Sequence, residues 1–329
     1  MKICFVDETK FEYSFEDKYS PNLRGAETVL INLSHNLKNL DNEIYVFNNC
    51  SKFYKESNYI WDDLNNIKKY NLKFDIAISN GDIRLLDRVV AKKKFAISYS
   101  IQTIEKFIRK GQLFTYIKNK PKIIFIGNYH KSKRSYFTRF YGHNFLNLSV
   151  DDIFNSEKLI ENSTDVNKAI FTSRSDRNMS LLVELWKKIY SKNNKLKLYI
   201  TPDNENKNYD KYNIFFRKMG NQTDLINDIK NSRLMLIPGH KAELYCLAAE
   251  EARELCIPIV TMGIGSLRER VEHNITGFIA KSYDDFCEIS IKLFKDDILW
   301  NKIRNNLLKI RGKSSWKKSS IDFLNVLKK

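Results

Sequence analysis

The chain is 329 residues long, 43% hydrophobic and 13% aromatic with only 11 Gly and 5 Pro, which supplies apolar material for two cores and excludes a low-complexity or collagen-like protein. No run approaches the roughly 18 apolar residues of a membrane-spanning helix, and the opening MKICFVDE is too short an apolar stretch for a signal peptide, so a cytoplasmic protein is expected. The 56 Lys and Arg against 39 Asp and Glu leave a formal net charge of +17, which points to an anionic partner such as nucleic acid, phosphorylated substrates or a membrane surface.

In chain order, KICFV at residues 2–6 reads as a strand, and ETVLINLSHNLKNL after it as a helix with Val29, Leu30, Leu33 and Leu37 on one face. EIYVF, DIAIS, KFAIS and KIIFIG follow as further short apolar strands, the pattern of parallel strands joined by crossover helices. Residues 101–141 carry Lys106, Arg109, Lys110, Lys118, Lys120, Lys122, Lys131, Lys133, Arg134 and Arg139 against one acid, Glu105, so a local basic face is expected. Phe107, Phe114, Tyr116, Tyr129, Tyr136, Phe137 and Phe140 interleave with these cations, a composition suited to stacking bases or to a membrane interface. Residues 148–167 are polar and poor in strands, which puts a domain boundary near 155–167.

The alternation restarts with KAIFTS, a helix LLVELWKKI, LKLYI, NIFFRKMG, a helix TDLINDIK, LMLIPG, the stretch AELYCLAAEEAREL at 242–255, IPIVT and GFIA; two helices broken near Gly312 close the chain. Cys4, Cys50, Cys246, Cys256 and Cys287 are scattered, odd in number and set mostly in apolar runs, which suits free thiols better than disulfides or a metal cluster.

Ligands of open parallel sheets sit beyond the carboxyl ends of the strands, so the chemistry is sought in the loops found there. The first, around Gly25, opens a helix but lacks the GxGxxG of dinucleotide enzymes, which removes the main support for hydride transfer. The loop after KAIFTS, Ser173–Asn178, carries Arg174 and Arg177 at a strand-to-helix turn, suited either to phosphate or to solvent. The loop after LMLIPG carries Glu243, and the helix that follows carries the adjacent acids Glu250 and Glu251, of which at most one faces inward.

Taken together these pieces resemble the retaining GT-B-fold glycosyltransferases of family 4, over nearly the whole chain and most strongly from 168 to 280. Glu243 to Ala252 matches the E-x7-E element, SRSDRN at 173–178 resembles a Ser-Arg-Pro-x-Arg-Gly turn, and Arg-Gly-Ala-Glu at 24–27 resembles the Gly-Gly-x-Glu turn of the N-terminal domain. Val150-Asp151 with Phe154 resembles the hinge. The resemblance implies two facing Rossmann-like domains with a cleft between them: an acceptor-binding domain at 1–160, a nucleotide-sugar domain at 161–310, and a C-terminal helix at 311–329 packing back on the first.

It further implies that Glu251 holds the ribose hydroxyls and that Glu243 contacts the transferred sugar. The backbone N–H groups of Tyr245, Cys246 and Leu247 lie near sugar and phosphates, and Arg177 with Arg174 neutralises the diphosphate. Gly25 admits the phosphates from the other domain, and Gly220 lies at the base. Arg177 and Glu243 are then the catalytic pair, the donor is a UDP- or GDP-sugar, and no metal is required. Glu250 is expected to point to solvent and its loss to be nearly silent.

Three departures stand out. Cys246 and Asn178 occupy positions where many members have Gly, and Tyr99 or Ser100 stands where the N-terminal domain often has His, with His130 and His240 as alternatives. The expected function is sugar transfer to a glycan or lipid-linked acceptor in surface polysaccharide or glycolipid synthesis, at the inner face of a membrane met through 101–141 rather than on nucleic acid. The second reading is a nucleotide-sugar-binding or epimerase-like protein without transferase activity.

Overall fold

The computed structural model describes residues 1–18, 20, 23, 25–101, 103–159, 164–202 and 210–329; Asn22 and Arg24 of the first turn lie outside the described residues. The chain divides into two compact units, 1–148 with 316–329, and 149–315. Among the described residues the first unit holds one sheet of β1 (Lys2–Val6), β2 (Glu43–Asn48), β3 (Tyr54–Glu56), β4 (Tyr59–Asp63), β5 (Lys73–Asn80), β6 (Val90–Ile97), β7 (Lys122–Phe125) and β8 (His143–Phe145), in the order 3-4-2-1-5-6-7-8. Every pairing is parallel except the β3–β4 hairpin.

Parallel strands covered on both faces read as unbroken apolar runs, and Ile3, Cys4, Phe5 and Val6 are all fully buried. Helix α1 (Gly25–Lys38) crosses from β1 to β2 and buries Val29, Leu30, Leu33 and Leu37. Helices α2 (Ile104–Arg109) and α3 (Gln112–Asn119) follow β6, and α4 (Asn128–Ser132) follows β7.

The second unit opens with α5 (Asp152–Ser156), capped by Asp151, whose Phe154 is buried in this unit's core. Then come β9 (Asp165–Phe171), α6 (Met179–Lys192), β10 (Lys197–Ile200), β11 (Ile214–Phe216), α7 (Gln222–Lys230), β12 (Ser232–Gly239), α8 (Leu247–Glu254), β13 (Ile259–Ile264), α9 (Leu267–Arg270), β14 (Gly277–Ile279), α10 (Tyr283–Lys295) and α11 (Asp297–Ile310). Its strands form a parallel sheet in the order 11-10-9-12-13-14. Helix α12 (Trp316–Lys328) belongs to the first unit, where it packs on α1 and buries Trp316, Phe323 and Leu327.

In each sheet the strand order reverses beside the first strand, between β1 and β5 and between β9 and β12. Loops leaving the carboxyl ends of such a pair diverge to opposite faces and open a crevice, which fixes where a ligand fits in each unit.

The stretch 101–141 is less uniform than its composition suggests. Phe107 and Tyr116 are fully buried in the first unit's core, and Arg134 is buried under the Phe125 ring, so these three are not part of an exposed basic-aromatic face. Phe114, Tyr136 and Phe140 remain exposed, beside exposed Ile104, Ile108 and Ile117. All five cysteines are free and buried.

Arg233, buried in β12, ties two helices to its sheet. Its guanidinium donates to the Leu293 carbonyl at 3.1 Å and to Asp297 at 2.6 Å, and it lies 4.5 Å over the Trp300 ring, whose indole N–H returns a bond to the Arg233 carbonyl. Replacing Arg233 by Ala removes this packing and leaves a cavity, so the urea midpoint of the second unit should fall by an amount equivalent to about 2–4 kcal/mol.

Candidate functional site

At the β9–β12 switch point the two loops lie side by side. Ser173–Asn178 leaves β9, and its turn is closed by Arg177 N–H donating to the Arg174 carbonyl at 2.9 Å. Asn178 then starts α6 in the left-handed backbone region (φ 63), and its side-chain amide donates to the Gly239 carbonyl at the end of β12 at 2.5 Å. That bond stitches the two loops together. Left-handed backbone favours glycine and tolerates Asn next best, which accounts for Asn at a position where the resemblance leads one to expect glycine.

The loop after β12 is a tight turn: Glu243 N–H donates to the His240 carbonyl at 2.9 Å, and His240 Nδ1 accepts from Ala242 at 3.1 Å. Ser266 N–H, after β13, donates to the Glu243 carbonyl at 3.0 Å. Gly265 permits this approach, because a Cβ there would lie 2.4 Å from the His240 carbonyl oxygen. Glu243 is thereby held facing Arg177, with Nε to Oε2 at 3.6 Å, while Asp176 bridges both arginines at 2.8 Å from Arg177 and 2.6 Å from Arg174. Burial pushes the Glu243 carboxyl above its ordinary value, and Arg177 opposes the shift. Arg174 is largely exposed, whereas Arg177 is mostly covered.

Cys246 precedes α8 with φ 65, also left-handed, and has no side-chain cap to offer. Its N–H is committed to Glu243 Oε1 at 3.2 Å, so of the three backbone donors expected to meet a ligand this one is already taken by a carboxylate. The N–H groups of Leu247 and Ala248 have no acceptor among the described residues, so the first turn of α8 keeps open donors beside Arg177 and Glu243. Tyr245 is buried, its ring 4.2 Å beneath the Arg270 guanidinium. Burial pushes the Cys246 thiol far up, reinforced by Glu243, so it is no nucleophile.

The register of α8 corrects one expectation. Glu250, expected in solvent, is only 2% exposed and ion-paired to Arg270 at 2.9 Å and to Arg253. Two arginines, one from its own helix and one from α9, make its burial tolerable. Glu251 is the carboxylate that lacks a partner: it is half-buried, no hydrogen bond to its side chain exists among the described residues, and burial pushes it up to about 7 despite the charge of Arg217. Arg217, after β11, is itself buried and bonded to Asp228 at 3.0 Å. Gly220, four residues before Asp224, leaves room for the Asp224 carboxylate that caps α7, since a Cβ at 220 would collide with it.

Arg174, Arg177, Glu243, Cys246 and the start of α8 are thus joined by bonds, and Glu251 lies one turn along α8, within reach of Arg217's charge. Gly25 lies in the other unit as the exposed first residue of α1. Arg217 and Asp176 are the participants that sequence reasoning missed; the cation two residues before Met219 in a strand-end loop was the available signal.

The first unit has its own crevice, about 640 Å³, at the β1–β5 switch point. Asp7, after β1, accepts from Asn80 at the end of β5 at 3.2 Å and from the Tyr13 hydroxyl; Tyr99 donates to Asn80 at 2.8 Å. Burial raises the Asp7 carboxyl, partly offset by the Tyr13 and Asn80 hydrogen bonds. Arg109 and Lys110 stand at the rim. His130 does not line this crevice; it is fully buried against Ser98 and Ser100, and burial pushes it down to about 4, so it is neutral.

Residues 154–309, the segment bearing the Arg177, Glu243 and Glu251 loops, match the family model of glycosyl transferases group 1. No curated protein matches the chain. Among solved structures it is similar to sucrose-phosphate synthase from Thermosynechococcus elongatus (10% identity, 99% of this chain and 98% of that one, TM-score 0.72). It is similar to HepE of Anabaena, solved with UDP (12%, 100% of both chains, 0.72) and with UDP-glucose, and to WaaG, a glycosyltransferase involved in lipopolysaccharide biosynthesis (11%, 99% of both, 0.68). The fold is GT-B, built from two Rossmann-like units.

Two substitutions on adjacent residues should part company. Glu250→Ala leaves Arg270 and Arg253 without their buried carboxylate and should lower stability by about 3 kcal/mol in chemical unfolding. Glu251 has a folded-state value raised above that of the unfolded chain, so its ionisation costs stability above pH 7 and costs nothing below about pH 4. Glu251→Gln should therefore stabilise the ligand-free protein by about 1–3 kcal/mol at pH 8, with the gain in melting temperature shrinking as pH falls toward 4.

Proposed function

We propose that the protein transfers a sugar from a nucleoside-diphosphate sugar, a UDP-sugar in the first instance, to a hydroxyl of a glycan or lipid-linked acceptor, with retention at the anomeric carbon. The observation that carries the donor side is Glu251: a carboxylate kept partly out of water with no hydrogen-bond donor among the described residues is supplied for a ligand, and vicinal ribose hydroxyls are donors of matching spacing. HepE's complexes with UDP and UDP-glucose support a uridine donor.

In this reading the glycosidic C–O bond to the diphosphate breaks as the acceptor oxygen bonds to the same carbon on the face the diphosphate leaves, the acceptor's proton passes to an oxygen of the departing diphosphate, and negative charge grows on that group as the bond breaks. Arg177, with Arg174 at the rim and the open N–H groups of Leu247 and Ala248, meets that charge from fixed positions. Glu243, oriented by the Cys246 N–H and Arg177, contacts the transferred sugar. No metal is called for. The loop at Met219-Gly220 borders the base, and Gly25 contributes the first unit's approach to the phosphates.

The crevice at Asp7, Asn80 and Tyr99 receives the acceptor, with hydroxyl-binding groups on its floor. Tyr99 takes the place of the usual His. Exposed Phe114, Tyr136 and Phe140 among the cations of 101–141 suit peripheral contact with an anionic membrane at its inner face, consistent with a lipid-linked acceptor in surface-glycan synthesis. The Tyr-for-His exchange also keeps the second reading, nucleotide-sugar binding without transfer, as the outcome if labelled sugar never reaches any lipid or glycan extract.

Calorimetric titration with UDP-, GDP- and ADP-sugars tests the donor side. At least one should bind saturably, and Glu251→Ala should weaken it about tenfold or more, as loss of charge-assisted hydrogen bonds does; absence of binding to all three sinks the proposal. Ribose hydroxyls favour the ionised Glu251, so affinity should rise as pH climbs through 7, with proton release, and the dependence should flatten in Glu251→Gln.

A further inference from the structure

At the amino ends of β6 and β7 the first unit carries a second cavity, remote from both crevices in chemistry. Strand β7 pairs only with Phe95–Ile97 of β6, so Val90–Lys94 has β5 on one side and no strand on the other among the described residues. The notch left beside it has a volume of about 480 Å³ and is lined by Lys92, Lys93, Lys94, Lys118, Lys120 and Lys122, with no carboxylate in the lining.

Lysines on an open strand edge ordinarily serve to prevent strand addition, and that accounts for Lys92–Lys94. It does not account for the other three, which come from the end of α3 and the start of β7 and converge on the same space. Lys120 does so from a left-handed backbone (φ 50) that disfavours residues with a side chain.

Two of the six lysines are neutralised, Lys92 by Asp75 at 2.7 Å and Lys118 by Asp87 at 2.9 Å. Lys93 donates to the Lys328 carbonyl at 2.5 Å, and Lys94 to the Leu86 carbonyl and the Asn119 side chain at 2.8 and 2.6 Å, all neutral acceptors. No carboxylate pairs with Lys93, Lys94, Lys120 or Lys122 among the described residues. Burial, with Lys118 adding to it, pulls the Lys94 ammonium below its ordinary value although Asp87 opposes this, and an anion in the cavity would reverse the shift.

We infer that this cavity binds a phosphate-bearing ligand, a diphosphate or phosphomonoester group held by Lys94, Lys120 and Lys122. Several point-charge donors around one volume match a multiply charged group with many acceptor oxygens; a carboxylate would leave most of the charge unmet. A free diphosphate and a phospholipid headgroup share this chemistry. The inference does not rest on the donor reading.

The test uses the full chain and three variants. Lys120→Asn with Lys122→Gln removes two lysines and keeps a residue type tolerant of left-handed backbone at 120. Lys192→Gln with Lys195→Gln removes equal charge from an exposed face of the second unit, and Glu251→Ala impairs the donor loops. Inorganic pyrophosphate, titrated without nucleotide, should bind wild type, the Lys192/Lys195 variant and Glu251→Ala alike, and the Lys120/Lys122 variant should lose one binding component or hold it about tenfold more weakly. If pyrophosphate fails but sedimentation with phosphatidylglycerol vesicles is lost in the Lys120/Lys122 variant alone, the ligand is a headgroup. Neither probe binding, or both surviving the Lys120/Lys122 change, overturns the inference. A failed donor reading would show separately, as UDP that does not bind the Lys120/Lys122 variant.

Discussion

The parallel pairing of β12 with β9 is the constraint on which the second unit's chemistry depends. Leu234 lies opposite Ala169 and Met235 opposite Ile170, in strands buried on both faces, and the strand order reverses between them. Two loops distant in sequence therefore leave neighbouring strand ends, and Arg177 comes to face Glu243 without either side chain having to search for the other. Because backbone-to-backbone bonds fix the loops, the arrangement of charge exists before any ligand arrives, which is the condition under which fixed dipoles and cations are most effective. The close contact of the Ser266 turn with the Glu243 carbonyl adds a third strand end to the same assembly.

Left-handed backbone at Asn178 and Cys246 shows what the glycines of such loops are for. In both cases the chain must reverse direction between a strand end and a helix start, and in both the reversal delivers a functional group: Asn178 ties to Gly239, and Cys246 aims its N–H at Glu243. Asn visits this region readily; a Cys does so with local strain, held in place by its burial.

Much of this architecture was legible in sequence because parallel strands announce themselves as short apolar runs; KICFV, DIAIS, KAIFTS and LMLIPG each fall within a strand or overlap its end. The β3–β4 hairpin was not legible, since Tyr54–Glu56 is three residues long and largely exposed and carries no periodicity. Spacing could place Glu250 and Glu251 on one helix but not choose between them, and the tempting rule that a spare acid faces water failed at Glu250. What buries it is Arg270, from an element twenty residues away that no local pattern connects to α8. The same limit applies to 101–141, where composition could not separate core rings such as Tyr116 from exposed ones such as Phe114.

Helix α12 makes the first unit discontinuous. Its ring Trp316 and its Phe323 and Leu327 complete a core whose other members lie before residue 149, and the whole of the second unit is translated between them. At a synthesis rate of about 5–20 residues per second the early strands wait roughly ten to thirty seconds for their last helix, whereas the second unit emerges as one uninterrupted piece. On the ribosome the unit made first is thus the one finished last, and the part of α1 that α12 covers stands open in the interval, as a surface for chaperones or for misassociation.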